Sequence, residues 1–150
     1  MIKILGVGNP LLGDDGFGLK VIEFLREKNI DNVNLIELPT PSPWDLYEVF
    51  REGGFFVIVD VLANGNDNEI EVFPLSDLKS YPSVLKSQHE VSIAQVLDLL
   101  SLNDVKIDGF VVGVKYNTIT PSLTLSENLD NLVPKTAKTV LDLIEKRLAI

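Results

Sequence analysis

The stretch that most constrains this chain is Ile2 to Gly18. An apolar run, Ile2 to Val7, passes into a turn holding Gly8, Gly13 and Gly16, with Gly6 before it, Gly18 after it, and Asp14 and Asp15 near its end. Glycine has no Cβ, so such a turn can bend sharply and bring the backbone close to a neighbour beside a helix N-terminus. The pattern reads as a strand, a glycine turn, two carboxylates and the start of a helix.

Two phosphate-binding readings of this turn fail on particular residues. Gly8 and Gly13 have the spacing of the loop G-x-x-x-x-G-K-[ST], but Asp14 and Asp15 stand where the lysine and hydroxyl should be, and carboxylates repel a phosphate. Gly6 and Gly8 begin a G-x-G-x-x-G pattern, but Leu11 occupies the third glycine position. Carboxylates on such a turn suit a cation or acid/base work better than an anion.

At 150 residues and 45% hydrophobic content, the chain can build one substantial core but is short for two. One domain over residues 1–150 is expected. No apolar run is long enough to cross a bilayer and the start lacks the pattern of a signal peptide, so a cytoplasmic protein without a membrane partner is expected. A net charge of −9 argues against nucleic acid, whose phosphates need clustered Lys and Arg. With no cysteine there is no disulfide, thiolate site or cysteine nucleophile, and the single His joins Asp and Glu as the candidates for chemistry.

Farther along, Phe17, Gly18, Val21, Ile22 and Leu25 form a helical stripe, predicting a helix from about Asp15 to about Lys28. Residues 33–38 read as a second strand, followed by a stiff turn, Pro39 to Pro43. Ser42 as N-cap with Pro43 at the first helical position predicts a short helix through Phe50, ended by Gly53 and Gly54. The apolar run Phe55 to Val59, closed by Asp60, predicts a central strand buried on both faces. Residues 69–73 read as another strand; the short turn Asn64 to Asn68 before it predicts an antiparallel, hairpin-like return. Ser87 to Glu90 matches a capping box, placing His89 in the first turn of a helix. Residues 109–114 read as a buried strand, and a last helix carries Ala137, Val140, Leu141, Ile144 and Leu148, with Pro134 near its start or at a kink. The predicted fold is a three-layer α/β/α domain with a mostly parallel, twisted sheet of about five strands, one of them antiparallel.

In such sheets ligands bind outside the carboxyl ends of the strands. Asp15 follows the first strand, Asp60 ends the third, and His89 opens a helix that can reach the same crevice. Two carboxylates and an imidazole make a three-ligand set for a divalent transition metal with coordination positions left open. Singly, each has an ordinary role: an acid caps a helix or a strand end, and a histidine in a first turn is solvated. No G-x-S-x-G turn exists, and an H-E-x-x-H helix is impossible with one His.

Gly6 to Gly18, Val57 to Asp60 and Ser87 to His89 resemble the maturation endopeptidases of nickel–iron hydrogenases. The resemblance implies an enzyme that removes a C-terminal extension from the hydrogenase large-subunit precursor after nickel insertion. Asp15, Asp60 and His89 then take the metal-ligand and catalytic positions, the nickel arrives with the precursor, and the protein is expected to be a monomer. Family members often carry a glycine-rich Thr-Ala-Gly segment where this chain has Pro39 to Trp44, so Trp44 is either a contact for a particular precursor or a core anchor. Within the enzyme reading, Asp15 and Asp60 could instead act as an acid/base pair, with metal used only for recognition. Outside it stand a nickel chaperone or scaffold that cleaves nothing and a nucleotide-binding module, which Asp14 and Asp15 disfavour.

Overall fold

The structure, a computed structural model, describes residues 1–62, 68–80, 88–116 and 119–148. Strand β1 (Ile2–Gly8) leads through a 3-10 turn (Gly13–Gly16) into helix α1 (Phe17–Arg26), strand β2 (Val33–Pro39), helix α2 (Pro43–Phe50) and strand β3 (Gly54–Leu62). Strand β4 (Ile70–Pro74), helix α3 (Gln88–Ser101), strand β5 (Ile107–Lys115) and helix α4 (Glu127–Leu148) follow. All five strands join one sheet in the order β2-β1-β3-β5-β4, parallel except for β4. Helices cover both faces, as the alternation of elements predicts.

Successive side chains of a strand point to opposite faces, and β3 divides the core accordingly. Phe55, Val57, Val59 and Val61 pack with Phe17, Ile22 and Leu25 of α1 and with Leu129, Val140 and Ile144 of α4. Phe56 and Ile58 pack on the other face, against Phe50 of α2 and Ile93 and Leu100 of α3. Asp60 shares the parity of Phe56 and Ile58, so it lies on the α2/α3 side.

The order of the strands sets where a crevice can form. From β1 the chain crosses by α1 to β2 on one side, then returns by α2, on the opposite face, to β3 on the other side of β1. The connection leaving β1 runs toward β2 and the one leaving β3 runs the other way, toward β4, so the two diverge beyond the carboxyl ends of β1 and β3, which is where open α/β sheets bind ligands.

Several local features differ from the sequence reading. The first helix is preceded by a 3-10 turn, so Asp14 and Asp15 belong to the turn and α1 begins at Phe17. Strand β4 is antiparallel but pairs with β5, not with β3: Ile70 faces Val114 and Pro74 faces Phe110, while β5 fills the place beside β3. Asp60 lies inside β3, which continues to Leu62. Helix α4 begins at Glu127 and contains Pro134, so the proline does not mark its start. Ser42 caps α2 as expected: its hydroxyl accepts from Asp45 N at 3.1 Å, and its own N donates to the Asp45 carboxylate at 2.9 Å. Trp44 is 66% exposed and stacks on Tyr47 at 5.3 Å between ring centroids, so it is no core anchor. The turn over residues 63–67 and the Ser87 cap lie outside the described residues.

Candidate metal and catalytic centre

Asp15 is held by the turn it belongs to. Its Oδ2 accepts a hydrogen bond from Asn9 N at 2.8 Å, and Asn9 Oδ1 accepts from Leu11 N at 3.0 Å, the self-capping that asparagine supplies in turns. Asp15 N in turn donates to Leu12 O at 3.1 Å. Gly8 permits this fold-back: its φ is +156°, and a Cβ there would collide with the Asp15 carbonyl oxygen. Asp15 is thereby buried, 6% exposed, its carboxylate aimed by the contact with Asn9 N.

Asp60 reaches the same place from the sheet. Pairing between β1 and β3 ends at Gly6 with Val59, so Asp60 is the first β3 residue past that contact, with Gly113 of β5 on its other flank. It is fully buried, and its Oδ1 accepts from Val61 N at 2.7 Å. His89, the second residue of α3, brings Nε2 to 3.1 Å from Asp15 Oδ2. One ligand atom from each of Asp15, Asp60 and His89 lies within 4.8 Å of the others, so the structure brings together all three residues singled out in the sequence.

The donor set suits a borderline divalent cation. Two buried carboxylates this close repel one another in a medium of low dielectric, and a cation between them removes that repulsion. Ligand atoms about 2.1 Å from one ion sit about 3 Å apart when adjacent and at most about 4.2 Å apart when opposed. The His89–Asp15 pair already has the adjacent spacing, and the three atoms, spread over up to 4.8 Å, would draw slightly closer around one ion. Three donors leave positions open for a substrate carbonyl or water, and the same carboxylates can transfer protons.

Asp14, beside Asp15, works elsewhere. Its Oδ1 accepts from Ser126 N at 2.7 Å, just ahead of α4, where a carboxylate also meets the positive end of the helix dipole. Gly13 N donates to Ser122 O at 2.8 Å and Ser122 N to Leu11 O at 3.0 Å, so the segment before α4 is stitched to the turn that carries Asp15. Asp14→Ala is expected to lower stability by about 1 kcal/mol through loss of this cap, read from urea midpoints, with Asp14→Asn retaining most of it. Sequence reading passed over Asn9 and gave Asp14 the ordinary role of a helix cap without its partner. The Asn-Pro dipeptide at residues 9 and 10 is the turn signal that marks the first, whereas the partner of the second lies 112 residues away.

No known family profile matches the chain. The fold itself is that of the hydrogenase maturating endopeptidase HybD from E. coli, which superimposes with a TM-score of 0.86 over 97% of this chain and 93% of that one at 21% identity. A protein of Methanocaldococcus jannaschii assigned to the hydrogenase maturation proteases is 31% identical over 97% of each chain, and this chain belongs to that family. The coenzyme F420 hydrogenase subunit delta of Methanothermobacter thermautotrophicus is 28% identical over 94% of this chain and 92% of that protein.

Proposed function

We propose that this chain is the endopeptidase that removes a C-terminal extension from a nickel–iron hydrogenase large-subunit precursor once nickel has been inserted, with Asp15, Asp60 and His89 as its metal-sensing and catalytic residues. The observation that carries the proposal is the meeting of two buried carboxylates and the chain's one imidazole at the switch point of the sheet, in a member of the maturation protease family. In this reading nickel is part of the substrate. Contact with it anchors the precursor only when loaded, and a metal in that position polarises the scissile carbonyl or a water. Asp15 is pre-aimed by Asn9 N and His89, so little ordering is left for the moment of binding. The whole chain serves as one processing domain, acting as a monomer in the cytoplasm on that precursor.

Incubation with nickel-loaded and nickel-free precursor tests this reading. Mass spectrometry is expected to show truncation of the loaded precursor alone; cleavage of neither, with intact and correctly loaded substrate, would overturn the protease reading. A second reading, a nickel-binding chaperone or scaffold without proteolytic activity, draws on the relative that bears the name of a hydrogenase subunit. It requires tight nickel binding by the isolated chain and no cleavage, so calorimetric titration with nickel separates the two.

A further inference from the structure

Helix α2 presents an aromatic pair that neither the core nor the metal-sensing triad uses. Trp44, the chain's one tryptophan, is 66% exposed and lies against Tyr47 with the ring planes 22° apart. Leu46 and Phe50 already supply the buried face of the helix. An indole left outside the core keeps a large apolar surface in water, and on protein surfaces Trp and Tyr concentrate where partners bind. The pair is also stiff. Pro43 and the reciprocal bonds between Ser42 and Asp45 fix the first turn that carries Trp44, and Tyr47 backs its ring, so binding leaves little to order.

The pair shares a face and an edge of the sheet with the candidate centre. Helices α2 and α3 pack against one another on the face to which Asp60 points. Helix α2 starts where β2 ends and α3 ends before β5 begins, and both strands run parallel to β1 and β3. The two helices therefore run the same way and bring their first turns, with Trp44 and His89, to the carboxyl edge together. Axes of packed helices lie about 8 to 10 Å apart, which sets the scale of the separation. Backbone bonds join the two places as well: Thr40 N, in the segment leading into α2, donates to Gly8 O at 2.8 Å, and the next residue, Asn9, holds the Asp15 carboxylate.

What covers the pair follows from how the metal arrives. An ion met by three residues of this chain and carried by another protein is also held by several side chains of that protein, which only a folded body gathers. A folded protein seated over Asp15, Asp60 and His89 buries about 800 Å² on each partner, a patch roughly 30 Å across, so its footprint takes in the first turn of α2. We propose that Trp44, backed by Tyr47, anchors an apolar patch on the folded body of the precursor, apart from the extension that is removed. The inference rests on the processing function proposed above and adds the contact by which the body is recognised.

Steady-state cleavage of nickel-loaded precursor by Trp44→Ala and Trp44→Phe tests it, since the exposure of Trp44 lets both variants fold. Trp44→Ala is expected to raise KM about tenfold or more with kcat nearly unchanged, and Trp44→Phe to restore most of the affinity. Unchanged KM in Trp44→Ala overturns the proposal. A second readout needs no cleavage, because 5-fluorotryptophan incorporated into the wild-type chain labels position 44 alone. Its fluorine resonance is expected to shift on addition of loaded precursor and to stay in place on addition of a peptide of the extension. No shift with the precursor, or a shift with the extension peptide, overturns the assignment to the body. A shift without any cleavage keeps the docking contact and removes the protease reading; cleavage with neither shift nor KM change does the reverse.

Discussion

Asp60→Asn is expected to lower cleavage of nickel-loaded precursor by a factor on the order of 10² to 10⁴ while leaving the melting temperature within a few degrees of the parent. The two readouts separate because the substitution keeps size and shape. An asparagine carbonyl oxygen can still accept the hydrogen bond from Val61 N, and no cavity forms in the closely packed end of β3. What disappears is a buried negative charge next to Asp15, and losing it relieves repulsion in the folded protein. Stability is therefore nearly held while the chemistry is not. A parallel nickel titration tells which chemistry Asp60 performs. Loss of metal binding together with cleavage assigns it as a ligand, whereas loss of cleavage with binding kept within a few-fold assigns it to proton transfer. Full cleavage by the variant would remove Asp60 from the mechanism altogether.

Gly18→Ala should destabilise the protein by about 3 kcal/mol or more, at the upper end of overpacking effects, and disable the site at the same time. Gly18 lies in the first turn of α1, directly over the seam between β1 and β3. A Cβ there would stand 2.7 Å from Val7 O and would collide with Val59 O. Both obstacles are backbone, so no side chain can turn aside. The helix must lift, and it carries with it the preceding turn that aims Asp15, while Val59 is the residue before Asp60. A lowered denaturant midpoint with unchanged slope, accompanied by lost cleavage, is the expected pair of results. Wild-type stability in Gly18→Ala would mean that α1 does not rest on the sheet at this point.

The parts of the site legible in the sequence are those whose signal is local. Asp15 follows a glycine turn, Asp60 closes an apolar run, and His89 stands at a helix start, so each announces its end of an element; the carboxyl-end rule for α/β sheets then brings the three together. Strand β4 shows where local signals stop. A short link after β3 argues for a hairpin, but β5 pairs with β3 all the way from Gly54 to Leu62 and leaves β4 only the outer edge. Pro134 left the start of the last helix open for a related reason. It removes one helical hydrogen bond, yet Leu129, Val133, Ala137 and Val140 bury on the same face of α4, so packing carries the helix through the defect. Trp44 had the composition of a core residue, but Leu46 and Phe50 supply the buried face of α2 and leave it outside.

The bond between Asp14 and Ser126 has a consequence in time. Those residues are 112 positions apart, so during synthesis the turn that aims Asp15 waits on the order of 5 to 20 s for its last tether to be made. Until then the nascent chain can pair β1 with β2 and β3, yet the segment of residues 120–126 that holds the turn is missing. The turn is thereby fully tethered only once residue 126 has been made, and a chain stalled before that point carries Asp15 in a turn held by its own local bonds alone.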